Sequence, residues 1–194
     1  KDGDQHYDLL SALHKSLRNS DVQAAVYWLA RALEAGADPV HAARRMVAMA
    51  AEDIGLADPM ALQVAVAALH ALQFLGLPEG RLPLTQAAVY LAAAPKSNAV
   101  YRAINTASEL ARSGEQHAIP LHLRNAVTGL ASDLGHGAGY VYAHDTAAGV
   151  APMPCLPPEL RGAVFFEPGE RGFEKKVAER MAENERHRRG SGGR

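Results

Sequence analysis

Two consecutive segments of this chain carry matched start and stop signals for an α-helix. GADPVHAARRMVAMAAEDIG and LADPMALQVAVAALHALQFLG each open with Asp-Pro and close with Gly. An Asp side chain accepts hydrogen bonds from free N–H groups at a helix start, proline fits the first helical position, and glycine fits the residue after the last turn. We therefore predict two adjacent helices, capped at Asp38 and Asp58 and ended at Gly55 and Gly76, which restricts the chain to helix-on-helix packing.

The remaining sequence also favours an all-α fold. Alanine is frequent, only 6% of the residues are aromatic, and no stretch alternates apolar and polar residues over the length of a strand. One further helix is predicted from Ser20 or Asp21 to about Ala35, and a short one follows LPEGRLP and ends at about Ala94. Two more are predicted from Asn98 to about Arg112 and from Pro120 to Leu134. In the helix that starts at Asn98, the side chains expected to face inward are Val100, Ala103, Ile104, Ala107 and Leu110.

Residues 135–173 contain most of the remaining glycine and proline and show no sustained periodicity. Their apolar side chains, including Phe165 and Phe166, argue against disorder, so we expect an ordered, packed arm. A charged helix, FEKKVAERMAENERHRR, follows, and residues 190–194 are expected to form a flexible tail. We predict one all-α domain over residues 1–189.

Charge and cysteine content exclude several classes of protein. The formal net charge of −1 gives no global attraction to nucleic acid, so any such contact requires a local patch. Cys155 is the one cysteine, which excludes an internal disulfide and suits a reducing, cytoplasmic compartment. The most apolar stretch, residues 60–75, is too short for a membrane span and contains polar residues. The start, KDGDQHYDLL, lacks Met and a signal-peptide pattern, which indicates a piece of a longer chain.

The Lys-Ser pair in LAAAPKSNAVYRAI invites comparison with an ATP-binding P-loop. Such a loop needs glycines whose backbone N–H groups turn toward the phosphates, but residues 90–95 contain no glycine, and Pro95 removes a donor. Ser97 or Asn98 is instead expected to cap the next helix. We assign no catalytic, cofactor-binding or metal-binding residue in this chain.

Three other groups of residues leave alternative functions open. Glu52, Asp53 and Asp58 have the residue types of an acid–base or hard-metal site, but a helix end explains them better. The best metal candidates in the glycine-rich arm, which would make the chain a metal-dependent enzyme, are His136, His144 and Asp145. The candidates for DNA or phosphate contact, which would make it a DNA-binding module, are Arg44, Arg45, Lys96 and Arg124.

Several apolar side chains are candidates for contact with another subunit. Tyr27 and Trp28 lie beside the apolar stripe of their helix and extend burial toward a second surface, although a wide core face would also explain them. Trp28 and Arg31, three residues apart, are candidates for a cation–π pair. Residues 60–75 are apolar on nearly all sides, which exceeds what one layer of core requires.

Five segments together closely resemble the C-terminal region of the RarA/MgsA family of AAA+ ATPases, which are related to clamp-loader subunits. In chain order they are HKSLRNSDVQAAVYWLARALEAGADP, ARRMVAMAAEDIGLADP, YLAAAPKSNAVYRAI, PLHLRNAVTGL and GYVYAHD. The resemblance implies a helical domain akin to the clamp-loader collar that assembles the protein into a homotetramer. It places the ATPase core, with ATP and Mg²⁺, upstream of this chain.

The same resemblance implies a role for the full-length protein. Its relatives look like DNA-stimulated ATPases of replication, recombination and repair that bind DNA and associate with single-stranded-DNA-binding protein. The nucleotide-binding and arginine-finger motifs of the family have no counterpart in this chain, so no catalytic residue is carried over to it.

Overall fold

The computed structural model describes residues 2–114 and 116–190. All regular structure in these residues is helical, which confirms the predicted fold class. The contacts divide the chain into two compact units, unit 1 up to residue 104 together with 166–175, and unit 2 over 105–165 together with the residues from 176. A single domain over residues 1–189 stays a prediction. Of the predicted flexible tail, Gly190 ends the last helix and residues 191–194 lie outside the described residues.

Unit 1 is built from packed helices with a core rich in leucine, methionine and alanine. Its helices are α1 (Asp2–Arg18), α2 (Val22–Glu34), α3 (Pro39–Met49), α4 (Met60–Leu75), α5 (Arg81–Ala93) and the first part of α6 (Ala99–Arg112). Helix α1 packs on α2, α2 on α5, α5 on α4, and α4 on α3. The large side chains that are fully buried in this core are Leu13, Leu17, Leu29, Met46, Met49, Ile54, Leu84 and Leu91.

The helix boundaries signalled by Asp-Pro are found within one residue of the predicted positions: Asp38 is the N-cap of α3, whereas α4 begins at Met60 with Pro59 at its N-cap position. The Asp38 carboxylate accepts a hydrogen bond of 2.8 Å from the backbone N–H two residues later, and Asp58 accepts the equivalent bond at 3.0 Å. Gly55 and Gly76 follow their helices with φ angles of +51° and +70°, a region that glycine enters without steric cost. The Asp-Pro and Gly signals both depend only on neighbouring residues along the chain.

The first of these two helices is nevertheless not α-helical throughout. After Met49 it continues as a π-helix over Ala50–Ile54, followed by a 3₁₀ turn over Gly55–Ala57. A π turn contains an extra residue, which rotates the following side chains away from the α-helical register. Asp53 is consequently buried instead of lying on a solvated helix end.

Helices α5 and α6 differ in detail from the prediction. Helix α5 begins at Arg81, earlier than expected, and holds Pro83 in its first turn, where a missing N–H breaks no intrahelical bond. Ser97 provides the cap of α6, since its Oγ accepts from the Ala99 N–H at 3.2 Å. The prediction that Val100 and Ile104 face inward is wrong, because both are exposed and Ala99 is the only fully buried residue of α6 in this part of the chain.

Unit 2 contains little regular structure besides the C-terminal helix. Its elements are the second part of α6, 3₁₀ turns at Leu121–Leu123, Ala143–Asp145 and Pro158–Leu160, the short helix α7 (Gly129–Asp133) and most of α8 (Glu174–Gly190). The charged C-terminal helix is confirmed.

The predicted continuous helix from Pro120 to Leu134 is wrong. Arg124 donates through Nε to the Ile119 carbonyl at 2.8 Å, and the Gly137 N–H bonds to the Leu121 carbonyl at 2.8 Å. These bonds use groups that a helix would need, and Thr128 starts a new short helix by accepting from the Ala131 N–H at 3.1 Å. One bond within the segment and one from Gly137 beyond it therefore override the local helical pattern.

Residues 166–175 return to unit 1, and we call them the strap. The Phe173 N–H donates to the Ala57 carbonyl at 2.8 Å. Gly172 has a φ angle of +55°, and a Cβ atom there would collide with that same carbonyl oxygen. Glu174 is fully buried and accepts through Oε2 from the Gly169 N–H. The strap thus requires glycine at its closest approach to unit 1.

Replacement of Gly172 by alanine is expected to detach the strap locally. Gly36→Ala is a matched control, because Gly36 also has a positive φ, +81°, but open space around its Cβ position. Both variants pay about 1–2 kcal/mol for the left-handed backbone, and only Gly172→Ala adds the collision. Hydrogen exchange should show lost protection of the Phe173 N–H in Gly172→Ala alone, and equal protection in both variants would contradict this account.

Candidate functional site

The most prominent surface of unit 1 is apolar. Eleven large apolar side chains between Met60 and Ile104 are exposed, and we call this set the apolar face. Phe74 is 88% exposed, Leu82 75% and Ile104 61%. The full set is Met60, Leu62, Phe74, Leu75, Leu77, Leu82, Val89, Tyr90, Val100, Tyr101 and Ile104. Eleven exposed large apolar side chains over 45 residues exceed the singly scattered ones of an ordinary surface, which makes this part of unit 1 a candidate interaction site.

The composition of α4 accounts for much of this exposure. Its sixteen residues include no charged side chain, and those that are fully buried are Ala61, Ala65, Ala68 and Leu72. These small residues allow close packing where α4 contacts α3 and α5. Leu72 is buried with them, Val64 and Leu69 are partly buried against the core, and the remaining large apolar residues are left with more exposure. The expectation that α4 has more apolar surface than one core requires is borne out by Met60, Leu62, Phe74 and Leu75, which are all exposed.

A groove of about 460 Å³ lies between α2 and the start of α5. Its apolar lining comes from Val26, Leu29, Ala30 and Leu33 of α2 and from Pro78 and Leu82 on the α5 side. At its edge, Arg81 Nη1 lies 3.4 Å from Glu34 Oε1. We call this feature the α2–α5 groove. It offers an unfilled apolar recess on the same unit as the apolar face.

Tyr27 and Trp28, the predicted interface residues, occupy different environments. Trp28 packs partly buried against the core, whereas Tyr27 is exposed and meets the Trp28 ring edge-to-face at 5.1 Å. Arg31 lies 5.9 Å from the Tyr27 ring and donates to its hydroxyl at 3.1 Å. The cation–π partner of Arg31 is therefore Tyr27, one helical turn away, and not Trp28 as predicted. Contact of either residue with another subunit stays a prediction.

Two of the four predicted phosphate-contacting residues lie together. Arg44 and Arg45 line a depression of about 580 Å³ with His6, Tyr7 and His41. The Arg45 guanidinium carbon lies 5.8 Å from the centre of the Tyr7 ring. Cations beside an exposed aromatic ring suit a nucleotide, because the ring offers a stacking surface and the guanidinium groups offer donors to phosphate.

Lys96 and Arg124 do not join this depression. The Lys96 ammonium donates to the carbonyls of Leu91, Ala92 and Ala94 at 2.6–2.9 Å and to Ser20 Oγ at 3.0 Å. Burial lowers the pKa of Lys96, although the Asp53 charge partly opposes this shift. Arg124 belongs to unit 2 and uses its Nε on a backbone carbonyl.

The Lys96 geometry also tests the resemblance to a P-loop. Its three ammonium protons are directed at the carbonyl end of α5 and at Ser20, so this lysine caps a helix C-terminus. The residues before it have neither the glycines nor the geometry that a triphosphate requires. ATP and Mg²⁺ do not fit here, and phosphate contact by the four predicted residues stays a prediction.

Sequence analysis missed a partly buried polar cluster that joins α1 to the π-helix. Arg18 Nε donates to Asp53 Oδ1 at 2.8 Å, and Arg18 Nη2 donates to His14 Nε2 at 2.8 Å. His14 Nε2 also lies 3.3 Å from Asp53 Oδ2. The signal in the sequence was the spacing of four between His14 and Arg18 at the edge of the leucine stripe of α1. The π turn that brings Asp53 to them has no comparable signal.

This cluster has the residue types of a metal site but already holds a cation. Within the part of the chain that the structure describes, His14, Glu52 and Asp53 are the one group whose potential ligand atoms lie within 4.8 Å of one another. The Arg18 guanidinium bonds to His14 and Asp53 and lies 3.8 Å from Glu52, so it supplies the positive charge. We assign a structural role to the cluster.

The metal candidates in the arm do not come together. His136, His144 and Asp145 form no such group among the described residues. The alternative of a metal-dependent enzyme therefore gains no support from the arrangement of these side chains.

Replacing His14 by a side chain that does not titrate should reduce the stability that the chain loses at acidic pH. Burial, followed by the Arg18 charge, lowers the pKa of His14 below its ordinary value of 6.5, against opposing effects of Asp53 and Glu52. Below pH 6.5 the unfolded chain therefore binds a proton at His14 more readily than the folded chain does. The free energy of unfolding consequently decreases as the pH is lowered. Denaturation from pH 7.5 to 5 should show a smaller decline for His14→Gln than for wild type or the exposed control His70→Gln. Equal declines would contradict the proposed environment of His14.

Comparison with known proteins agrees with the sequence resemblance. The family described as "MgsA AAA+ ATPase C terminal" matches residues 19–185. Replication-associated recombination protein A of Haemophilus influenzae is 49% identical over 182 residues, which cover 93% of this chain and 41% of that protein. The protein of that name in Coxiella burnetii is 50% identical over 182 residues, covering 93% and 41%, and ATPase WRNIP1 of Dictyostelium discoideum is 46% identical over 169 residues, covering 86% and 19%.

These relatives are much longer than the present chain, which spans about two fifths of the bacterial proteins just named. None of the helices formed by the described residues has the length and apolar character needed to cross a membrane. The helical architecture and the extent of the similarity support the same assignment. The chain belongs to the family of C-terminal domains of MgsA-type AAA+ ATPases.

Proposed function

We propose that this chain is the oligomerisation domain of an AAA+ ATPase that acts in replication-associated recombination, and that it forms a homotetramer. The apolar face of unit 1 is the observation that carries the proposal. The names of the relatives support the recombination role. The family resemblance supports a tetramer.

The apolar face has the composition of a protein–protein interface. Residues 60–104 include only four charged side chains, Glu79, Arg81, Lys96 and Arg102. The centres of interfaces are similarly depleted of charge and enriched in aromatic residues and methionine. A fully buried large apolar side chain contributes about 1.5–3 kcal/mol, so several residues of this face would together stabilise an assembly. Association of like surfaces here would therefore bury few charges.

The proposed tetramer would hold several ATPase cores in a fixed arrangement. ATP and Mg²⁺ would bind to a core outside this chain, since the chain has no suitable loop. The role of this domain is then to set the number and spacing of the motors that act on DNA and meet single-stranded-DNA-binding protein. We place this assembly in the cytoplasm.

Sedimentation equilibrium of the chain tests the proposal. We expect a species of four copies of the 20.6 kDa chain at micromolar concentration, with dissociation on dilution. Met60→Ser with Leu62→Ser should weaken the association, because both side chains are exposed on α4. Gln63→Ser, an exposed polar position on the same helix, should leave it unchanged. A wild-type monomer at these concentrations would overturn the proposed function.

DNA contact is a second candidate function, favoured by the depression that contains Tyr7, Arg44 and Arg45. It lies on α1 and α3, whereas the apolar face lies on α4, α5 and α6 and the segments between them. Guanidinium groups would bind phosphates while the exposed ring stacks on a base. The depression and the apolar face are therefore formed by different residues.

Charge reversal in the depression tests this candidate. Arg44→Glu with Arg45→Glu should weaken binding of single-stranded DNA at low salt at least tenfold and reduce the slope of log K against log salt by about 1–2. Arg180→Glu, at an exposed position of α8, is the control and should have a smaller effect. Fluorescence anisotropy provides the measurement. An equal loss in the control, or no DNA binding by wild type, would reject this role.

A further inference from the structure

We infer that Phe74 of one copy inserts into the α2–α5 groove of a second copy. This inference rests on the proposed oligomerisation and specifies its contact. The two features lie on the same unit, so each copy offers both a projecting ring and a recess.

Phe74 is well placed to serve as a projecting anchor. It lies in the last turn of α4, is 88% exposed, and is flanked by the exposed side chains of Leu75 and Leu77. An aromatic ring that is this exposed in the free chain can bury a large apolar area when it enters a pocket. Aromatic side chains that fill pockets near the centre of an interface supply much of the binding energy.

The backbone that carries Phe74 is held in a defined conformation. The Gly76 N–H bonds to the Leu72 carbonyl at 2.8 Å, and the Gly80 N–H bonds to the Gly76 carbonyl at 2.7 Å. Gly80 is buried, and a Cβ there would collide with Leu72 Cδ1 and Gly76 O. The turn after α4 is therefore compact, which lowers the conformational entropy lost on binding.

The groove has the size and chemistry to receive this ring. Its volume of about 460 Å³ lies within the range of small-ligand pockets. Leu29 forms its buried floor, and Val26, Ala30 and Leu33 line it from α2. These apolar groups offer close contact to a phenyl ring, while the charged lining residues are Glu34, Glu79 and Arg81.

Charge and position favour a second copy as the occupant. Arg81, the cation among the lining residues, is paired with Glu34, so the groove has no unpaired cation to offer a nucleic acid. The turn that follows Phe74 contributes Pro78 and Glu79 to the groove lining, so anchor and recess are neighbours. Two copies facing each other across a twofold axis would make the same contact twice, which is how isologous interfaces form.

Complementation between two variants tests the contact. Phe74→Ala removes the anchor, and Ala30→Trp fills the groove. Each variant alone should raise the dissociation constant at least tenfold in sedimentation experiments. An equimolar mixture should associate more tightly than either variant alone but less tightly than wild type, because the ring of the Ala30→Trp copy and the groove of the Phe74→Ala copy restore one of the two contacts. Gln73→Ala and Gln23→Trp, at exposed positions on the same helices, are the matched controls and should associate like wild type.

Cross-linking provides a second measurement, which does not depend on whether the Ala30→Trp variant folds. In a Cys155→Ser background, copies with Phe74→Cys mixed with differently tagged copies with Ala30→Cys should form a disulfide between the two species under mild oxidation. A wild-type monomer would overturn the proposed function and this inference with it. An oligomeric wild type whose association survives Phe74→Ala and Ala30→Trp, or whose cysteine variants do not cross-link, would overturn this inference alone.

Discussion

Close packing of helices through alanine is the constraint on which the rest of unit 1 depends. Ala61, Ala65 and Ala68 are the buried contacts of α4, and Ala87, Ala88 and Ala92 serve α5 in the same way. Small side chains bring two helix axes close and leave little room for large ones between them. The apolar residues that the sequence supplies in excess are consequently displaced to the outside. The same choice that makes the core compact therefore creates the surface that we propose for self-association.

Hydrogen-bonded polar side chains hold helix ends in positions that apolar packing alone does not fix. Lys96 satisfies the carbonyl end of α5, and Arg18 neutralises Asp53 beside the π-helix. The Ser97 N–H donates to the Asp53 carbonyl at 2.8 Å, so these two sites are joined through the backbone. Arg171 of the strap reaches the Lys96 carbonyl at 3.4 Å. A Lys-Ser sequence that suggests phosphate binding thus takes part in a structural junction of three segments.

The sequence predicted those features that depend on neighbouring residues. Asp38 and Asp58 cap helices because their carboxylates reach N–H groups two residues away, and this geometry needs no tertiary contact. The prediction failed where more distant residues decide, as at Leu121, whose carbonyl accepts from the Gly137 N–H instead of from an α-helical N–H. The excess of apolar residues in α4 was recognised, but the exposure of Phe74 and the α2–α5 groove was not. Both depend on which face of each helix the neighbouring helices cover.

The separation of apolar and basic surfaces bears on how an assembled protein could engage DNA. Arg44 and Arg45 lie on α3, whereas the apolar face begins with α4, so self-association need not cover the arginines. If this patch binds DNA as proposed, one copy would bind weakly and with strong salt dependence, because each phosphate contact is partly screened. Four linked copies would convert later contacts into intramolecular ones and raise the apparent affinity without any new residue. In this scheme, oligomerisation would strengthen DNA binding. A chain with a net charge near zero could then bind DNA more tightly as an oligomer than as a single copy.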